Sequence, residues 1–111
     1  MALERKVYGA LEDIVGSENI SEEPATLDTY AFYNVITAPM PPERFMTRPE
    51  AALLPGSTEE VQAIVKACNR YKIRYKAIST GWLETNAVGT EGVIMLDLRR
   101  MNHILEINEK D

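Results

Sequence analysis

A capped amphipathic helix between two apolar segments is the feature that most constrains the fold of this chain. Ser57 is a favourable helix N-cap, and Glu60 completes a capping box three residues later. The apolar side chains that follow recur at the spacing of one helical face: Val61, Ile64, Val65 and Cys68. These signals predict a helix over residues 58–71, which the basic side chains Arg70 and Lys72 close favourably at its carboxyl end.

Short apolar segments on both sides of this helix predict a β-α-β arrangement. Residues 51–54 precede a Pro-Gly turn signal, and residues 75–79 follow the helix. Residues 93–96 are apolar throughout, as expected of a strand that is buried on both faces. A further strand is predicted to begin within residues 104–107. The expected fold class is α/β (α+β), with a small parallel sheet of three to four strands flanked by helices.

The first part of the chain has weaker patterns. Residues 2–15 place apolar side chains near one helical face, and Gly16 is a suitable stop for that helix. Residues 17–48 are predicted to be largely irregular, with a short helical turn within residues 26–33 and repeated prolines after it. The aromatic side chains of this segment indicate that it packs on the domain or on a further part of the protein.

Length and charge argue against several classes of protein. A chain of 111 residues has room for one small domain, and a content of 45% apolar and 26% charged residues is ordinary for a globular protein. The net charge of -5 provides no obvious electrostatic attraction for the phosphates of a nucleic acid. The basic residues within 70–76 alternate with aromatic and apolar ones, which favours a solvated face. We therefore expect no nucleic-acid partner.

One cysteine and one histidine limit the chemistry that the chain can carry. Cys68 has no partner for an internal disulfide and lies on the apolar stripe of the helix, so we expect a buried thiol. His103 lies in a polar turn without a visible nucleophile and is interpreted as a surface residue. No apolar run is long enough to span a membrane and none resembles a signal peptide, so cytoplasmic localisation is expected.

The segment after the second predicted strand has the properties of a phosphate-binding loop. Ser79, Thr80 and Gly81 are small, so backbone N–H groups can approach an anion closely, and two hydroxyl groups can also donate. On these grounds alone an ordinary turn remains the alternative. Trp82 could stack on a flat ring or cover the core. Asp97 could contact a ligand at the end of its strand, and the preferred interpretation is a cap for the turn that follows it. No catalytic set is visible.

Two stretches together carry a resemblance to a known family. The first is Arg48-Pro49 followed by ALLPGSTEEVQAIV at residues 52–65, and the second is GVIMLDLRRMNHILEI at residues 92–107. Their order and spacing resemble the amino-terminal half of the FAD-binding domain of FAD-linked oxidases. That family includes vanillyl-alcohol oxidase, p-cresol methylhydroxylase and the glycolate oxidase and D-lactate dehydrogenase flavoproteins. The resemblance covers about half of the chain.

The resemblance implies a p-cresol methylhydroxylase-type fold in which FAD lies between two α/β subdomains. Residues 48–111 would form the first subdomain, and residues 1–47 a helical, proline- and aromatic-rich lead-in. In the family the loop after the second strand wraps the FAD diphosphate. That places six residues on the cofactor: Ile78, Ser79, Thr80, Gly81, Trp82 and Asn86.

This loop departs from the form that many members of the family have. They have the pattern R-G-G-G-T-G, whereas residues 78–83 read ISTGWL, which is closer to the I-S-x-G form of the phenol-oxidising branch. Only one of the glycines is kept, so the contacts of the backbone N–H groups with the diphosphate are expected to differ. No histidine lies in the loop, so no covalent flavin link is expected from it.

The function implied by the resemblance is the FAD-binding portion of an FAD-linked oxidoreductase, inactive alone because the second FAD subdomain and the substrate domain are expected to be missing. The implied substrate is a 2-hydroxy acid such as glycolate or lactate. A phenol-oxidising enzyme is the alternative within this class, and a non-catalytic α/β interaction module is the alternative outside it. Expected partners are FAD, the second subdomain or a chain that carries it, and further copies of this chain, because exposed apolar surface favours self-association.

Overall fold

A four-stranded sheet lies at the centre of the molecule, in a computed structural model that describes residues 3–31, 47–79 and 90–110. Its strands are β1 (Ile20–Ser21), β2 (Ala52–Leu53), β3 (Arg74–Ile78) and β4 (Val93–Asp97), in the spatial order β1-β2-β4-β3. Strands β2, β4 and β3 are parallel, and β1 pairs antiparallel with β2 at one edge. The predicted α/β class is therefore confirmed. The antiparallel edge strand lies in a segment that the sequence had indicated as irregular.

In the described residues, three α-helices accompany the sheet: α1 (Arg5–Val15), α2 (Pro24–Asp28) and α3 (Thr58–Tyr71). Helix α3 has the predicted bounds, and the Oγ of Ser57 accepts a hydrogen bond from the backbone N–H of Glu60 at 3.2 Å. Lys72 ends this helix in the left-handed conformation, with φ of 56°. Gly16, with φ of 89°, ends α1 as expected, because glycine adopts this conformation without a steric penalty.

The two faces of the sheet are covered by different elements. Helices α1 and α3 cover one face, where their buried side chains pack on the sheet residues Ala51, Leu53, Ile94 and Leu96. On the other face, Leu27 and Tyr30 pack against Ala52, Val93 and Met95, with Ile78 partly buried beside them. Strand β4 is buried along its whole length, as its unbroken apolar sequence predicted.

The fourth predicted strand is absent from its expected place. Residues 101–108 have no regular secondary structure, and the apolar tail, defined as residues 104–107, is open to solvent. The exposed fractions are 79% for Ile104, 94% for Leu105 and 79% for Ile107. A strand needs a hydrogen-bonding neighbour, and the described part of the chain places no strand beside this segment. The prediction of a strand here was therefore wrong for this structure.

Candidate functional site

The parallel strands end together at one edge of the sheet, here called the carboxyl edge. The paired residues Ile78 and Asp97 end β3 and β4, and Leu53 ends β2. Helix α3 begins at the same edge, directly after the β2 strand. A short 3₁₀ turn, Leu98–Arg100, follows β4 there. Open sheets of this type bind ligands outside the carboxyl ends of their strands.

The carboxyl edge contains the start of the predicted cofactor-binding loop. Ile78 is half-buried against the cluster formed by Leu27 and Tyr30, and Ser79 is exposed immediately after it. The other predicted cofactor contacts lie outside the described residues: Thr80, Gly81, Trp82 and Asn86. Their assignment to the cofactor stays a prediction.

A buried carboxylate lies beside the start of this loop. Asp97 is fully buried, and its Oδ2 accepts hydrogen bonds from the Tyr30 hydroxyl at 2.8 Å and from Nε of Arg99 at 2.7 Å. The Nη2 atom of Arg99 lies 2.5 Å from the same oxygen. The Oδ1 atom accepts the backbone N–H of Arg99 at 3.1 Å, so Asp97 caps the turn as predicted. The cluster thus joins the lead-in segment, the central strand and the turn.

Burial and charge fix the protonation of the two donors in this cluster. Burial raises the pKa of Tyr30 to about 12, and its hydrogen bond to Asp97 acts in the same direction. The hydrogen bond to Asp97 is also the main cause that raises the pKa of the Arg99 guanidinium. At neutral pH Tyr30 therefore remains a neutral donor and Arg99 a cation, which together compensate a carboxylate that has no contact with solvent.

The neighbouring arginine, Arg100, contacts the segment that follows β2. The Nη1 atom of Arg100 donates to the backbone carbonyl of Leu54 at 2.5 Å, and its guanidinium lies over Gly56. A Cβ atom at Gly56 would come within 2.7 Å of Nη2 of Arg100, so glycine leaves the space that this arginine occupies. The Gly56 N–H in turn donates to Oε2 of Glu60 at 2.9 Å.

Sequence reasoning missed three residues of this edge: Tyr30, Arg99 and Arg100. Tyr30 is 67 residues away from Asp97 in the chain, and Arg100 is 46 residues away from Leu54. No local pattern reports contacts at such separations. The only signal for Tyr30 was the aromatic content of the lead-in, which indicated packing without naming a partner.

Cys68 and His103 have the surroundings that the sequence predicted. Cys68 is buried, and burial raises the pKa of its thiol to about 11, which keeps the thiol protonated and unreactive. His103 is exposed. Within residues 3–31, 47–79 and 90–110, no group of three or more metal-binding side chains is found. None of the helices in these ranges is both long and apolar enough to cross a membrane.

Within the described ranges, cavities of about 360 and 320 Å³ lie at the opposite edge, where β2 and β4 begin. The larger is lined mainly by polar and charged residues, with Arg48 among the glutamates Glu22, Glu50 and Glu91. Arg48 is already paired with Asp28 at 2.7 Å. Neither cavity adjoins the carboxyl edge, so neither extends the candidate site.

Known proteins resemble this chain over most of its length. A family model described as FAD binding domain matches residues 49–111. The flavoprotein subunit of 4-cresol dehydrogenase (hydroxylating) from Pseudomonas putida is 36% identical over 98 residues, which cover 86% of this chain and 18% of the relative. D-2-hydroxyglutarate dehydrogenase of Xanthomonas citri is 33% identical over 104 residues, which cover 92% of this chain and 20% of that protein.

A solved structure agrees with this relationship. The 4-ethylphenol oxidase from Gulosibacter chungangensis superposes with a TM-score of 0.75 at 30% identity, over 97% of this chain and 21% of the oxidase. The chain therefore spans about one-fifth of the length of the proteins that it matches. The likeness includes the region that ends β3 and β4.

Proposed function

This chain belongs to the FAD binding domain family, and from that premise we propose that its carboxyl edge holds the diphosphate of FAD within an FAD-linked oxidoreductase. The observation that supports this most directly is the pairing of Ile78 with Asp97. It brings the ends of two parallel strands side by side and starts the loop at Ser79 in the position where such sheets bind ligands.

The residues that would hold the cofactor are those of the β3 end and the loop after it: Ile78, Ser79, Thr80, Gly81, Trp82 and Asn86. Ser79 fits this task because it is exposed and small, and offers both a hydroxyl and a backbone N–H as donors. Ile78 would anchor the start of the loop, since it packs on the buried cluster beneath it. Bound FAD supplies the two-electron acceptor, whereas the protein supplies binding and orientation.

The proposed substrate class of the oxidoreductase is a 2-hydroxy acid, such as glycolate or lactate. Support comes from the relative named for D-2-hydroxyglutarate, which is itself a 2-hydroxy acid. A phenolic substrate is the second candidate, because the 4-cresol and 4-ethylphenol enzymes both match this chain at 30% identity or more. The loop sequence ISTGW is also closer to the form of the phenol-oxidising branch.

We further propose that the apolar tail contacts the second FAD subdomain of a complete enzyme. Its three large side chains are between 79% and 94% exposed, which is unusual for adjacent isoleucine and leucine residues unless further protein covers them. The matched relatives are about five times as long as the matched region, so they contain the additional protein that such a contact needs. This chain alone is expected to bind FAD weakly and to oxidise no substrate.

A titration with FAD tests the proposed function. Purified chain is mixed with FAD, and flavin fluorescence and the thermal midpoint of unfolding are followed together. Binding at micromolar FAD with a raised midpoint would support a working half-site, since a ligand that binds only the folded state stabilises it. No response at millimolar FAD, and no yellow complex on co-expression with a second FAD subdomain, would reject the proposal.

A further inference from the structure

We propose that Arg99 is an anion-binding residue that contacts the diphosphate of the cofactor, an inference that rests on the function proposed above. Neither the predicted loop nor the resemblance assigns a role to this residue. Its placement comes from the structure alone, through its contacts with a buried carboxylate at the carboxyl edge.

The position of Arg99 is set by the neighbouring strand. Because Ile78 and Asp97 are paired, the chain leaves β3 and β4 side by side, at the spacing of about 4.8 Å between neighbouring strands. Ile78 packs against the same cluster as Tyr30, and Tyr30 binds the carboxylate that holds Arg99. Arg99 and the start of the loop at Ser79 therefore lie at the same edge of the sheet, after neighbouring strands.

The guanidinium group of Arg99 is held in one orientation. Its Nε and Nη2 atoms both contact Oδ2 of Asp97, which is fully buried, while the Arg99 side chain as a whole is 65% exposed. A guanidinium has five N–H donors, so two contacts to one oxygen leave donors for a second anion. An arginine that is already positioned loses less side-chain entropy on binding a phosphate than a free one does.

Several other donors of this edge already have acceptors. The guanidinium of Arg100 donates to the carbonyl of Leu54 and covers Gly56. At the start of α3, the side chains of Ser57 and Glu60 accept backbone N–H groups that could otherwise bind an anion. Glu59 and Glu60 also add negative charge to that helix end. Of the two arginines in this turn, Arg99 is the one whose guanidinium is fixed by two contacts to a buried carboxylate, and this fixed orientation is the reason for assigning it to the diphosphate.

A simpler role for Arg99 would be to neutralise Asp97 and nothing more. A pair of variants separates the two roles. Arg99→Gln removes the cation, whereas the double variant Asp97→Asn with Arg99→Gln removes the cation and the buried charge together, so the fold is not left with an uncompensated carboxylate. Lys66→Gln is the matched control, because it removes one positive charge from an exposed position on α3.

Affinities for FAD and riboflavin are measured for each protein, since riboflavin has the flavin ring without phosphate. We expect Arg99→Gln and the double variant to bind FAD about tenfold or more weakly than the wild type, the scale of a lost charge-assisted hydrogen bond. Riboflavin binding should stay unchanged, and Lys66→Gln should bind FAD within about twofold of the wild type. A double variant that folds and binds FAD as the wild type does would overturn the proposal.

An NMR titration of the wild-type chain needs no variant. The Nε–H signal of Arg99 should shift on addition of FAD and of inorganic pyrophosphate, but not on addition of riboflavin. A shift with FAD alone would show that the diphosphate binds only as part of the dinucleotide, and an unchanged signal at saturating FAD would overturn the proposal. If the wild type binds no FAD at all, the proposed function fails first; if it binds FAD while Arg99 is unaffected, only this inference fails.

Discussion

Strand β4 and the apolar tail are separated only by residues 98–103 and have similar apolar content, yet their surroundings differ completely. Every residue of β4 is buried between two neighbouring strands and two covering layers. The side chains of Ile104 and Leu105 are largely in solvent. An apolar run therefore becomes a strand only where the chain supplies a neighbouring strand to pair with and a layer to cover it.

The largest expected effect comes from a matched pair of substitutions in these two segments. Ile94→Ala removes a fully buried side chain from the core and should lower the free energy of unfolding by about 2–5 kcal/mol. Ile104→Ala truncates the same side chain where it is 79% exposed, and should change that free energy by less than about 0.5 kcal/mol. Urea denaturation followed by circular dichroism measures both. Similar losses for the two variants would show that the tail is packed in solution.

The next largest effect on stability is expected at the end of β4, where the buried group is the Asp97 carboxylate rather than an apolar side chain. Asp97→Ala leaves the Tyr30 hydroxyl without its acceptor and removes the cap of the following turn. We expect a loss of about 1–3 kcal/mol in the free energy of unfolding, the usual cost of an unsatisfied buried polar group. Glu106→Ala is the control, because it removes a carboxylate from the exposed tail. An equal, small effect of both variants would contradict a structural role for the cluster.

The parts of this fold that the sequence predicted are those with local signals. Helix α3 was found to the residue because Ser57, Glu60 and the apolar stripe all lie within one segment. Strand β4 was found because burial on both faces leaves an unbroken apolar run. Strand β1 has only two residues, and it exists because Leu53 and Ala52 lie beside it, which no local pattern reports.

The candidate site was predicted only in part for the same physical reason. Ser79 and its neighbours were predicted from composition and resemblance, because small residues after a strand are visible in the sequence, and their assignment to the cofactor stays a prediction. Tyr30 is distant from Asp97 in the chain, so the capping role of Asp97 was predicted without this partner. Arg99 is only two residues from Asp97, but an exposed arginine in a turn has no sequence pattern that indicates where its side chain binds. The strand predicted at the tail was wrong for the opposite reason. Its apolar pattern is present in the sequence, but the described residues contain no neighbouring strand for it to pair with.

A smaller effect should appear as a dependence on pH. The pKa of Tyr30 is raised in the folded protein to about 12 from an ordinary value of 10.0, mainly by burial. Folding therefore favours the neutral hydroxyl, and this contribution to stability is complete below about pH 10 and is lost as the pH rises from there towards 12. Tyr30→Phe should have a weaker decline in the free energy of unfolding over this range than the wild type. The difference between the two proteins removes the contribution of other titrating groups, and parallel curves would contradict the assignment.

The smallest effect on stability is expected where the apolar tail is made polar. Replacing Ile104, Leu105 and Ile107 together by serine should leave the thermal midpoint nearly unchanged, because these side chains are mostly solvated in the folded chain. The same variant should self-associate less than the wild type in sedimentation velocity, since burial of exposed apolar surface is expected to drive association.

The variant should also bind less well to a separately produced second FAD subdomain if the tail is the contact proposed above. Unchanged association in both assays would show that the exposed tail binds neither a second copy nor the second subdomain. The tail would then differ from β4 only in lacking a neighbouring strand to pair with.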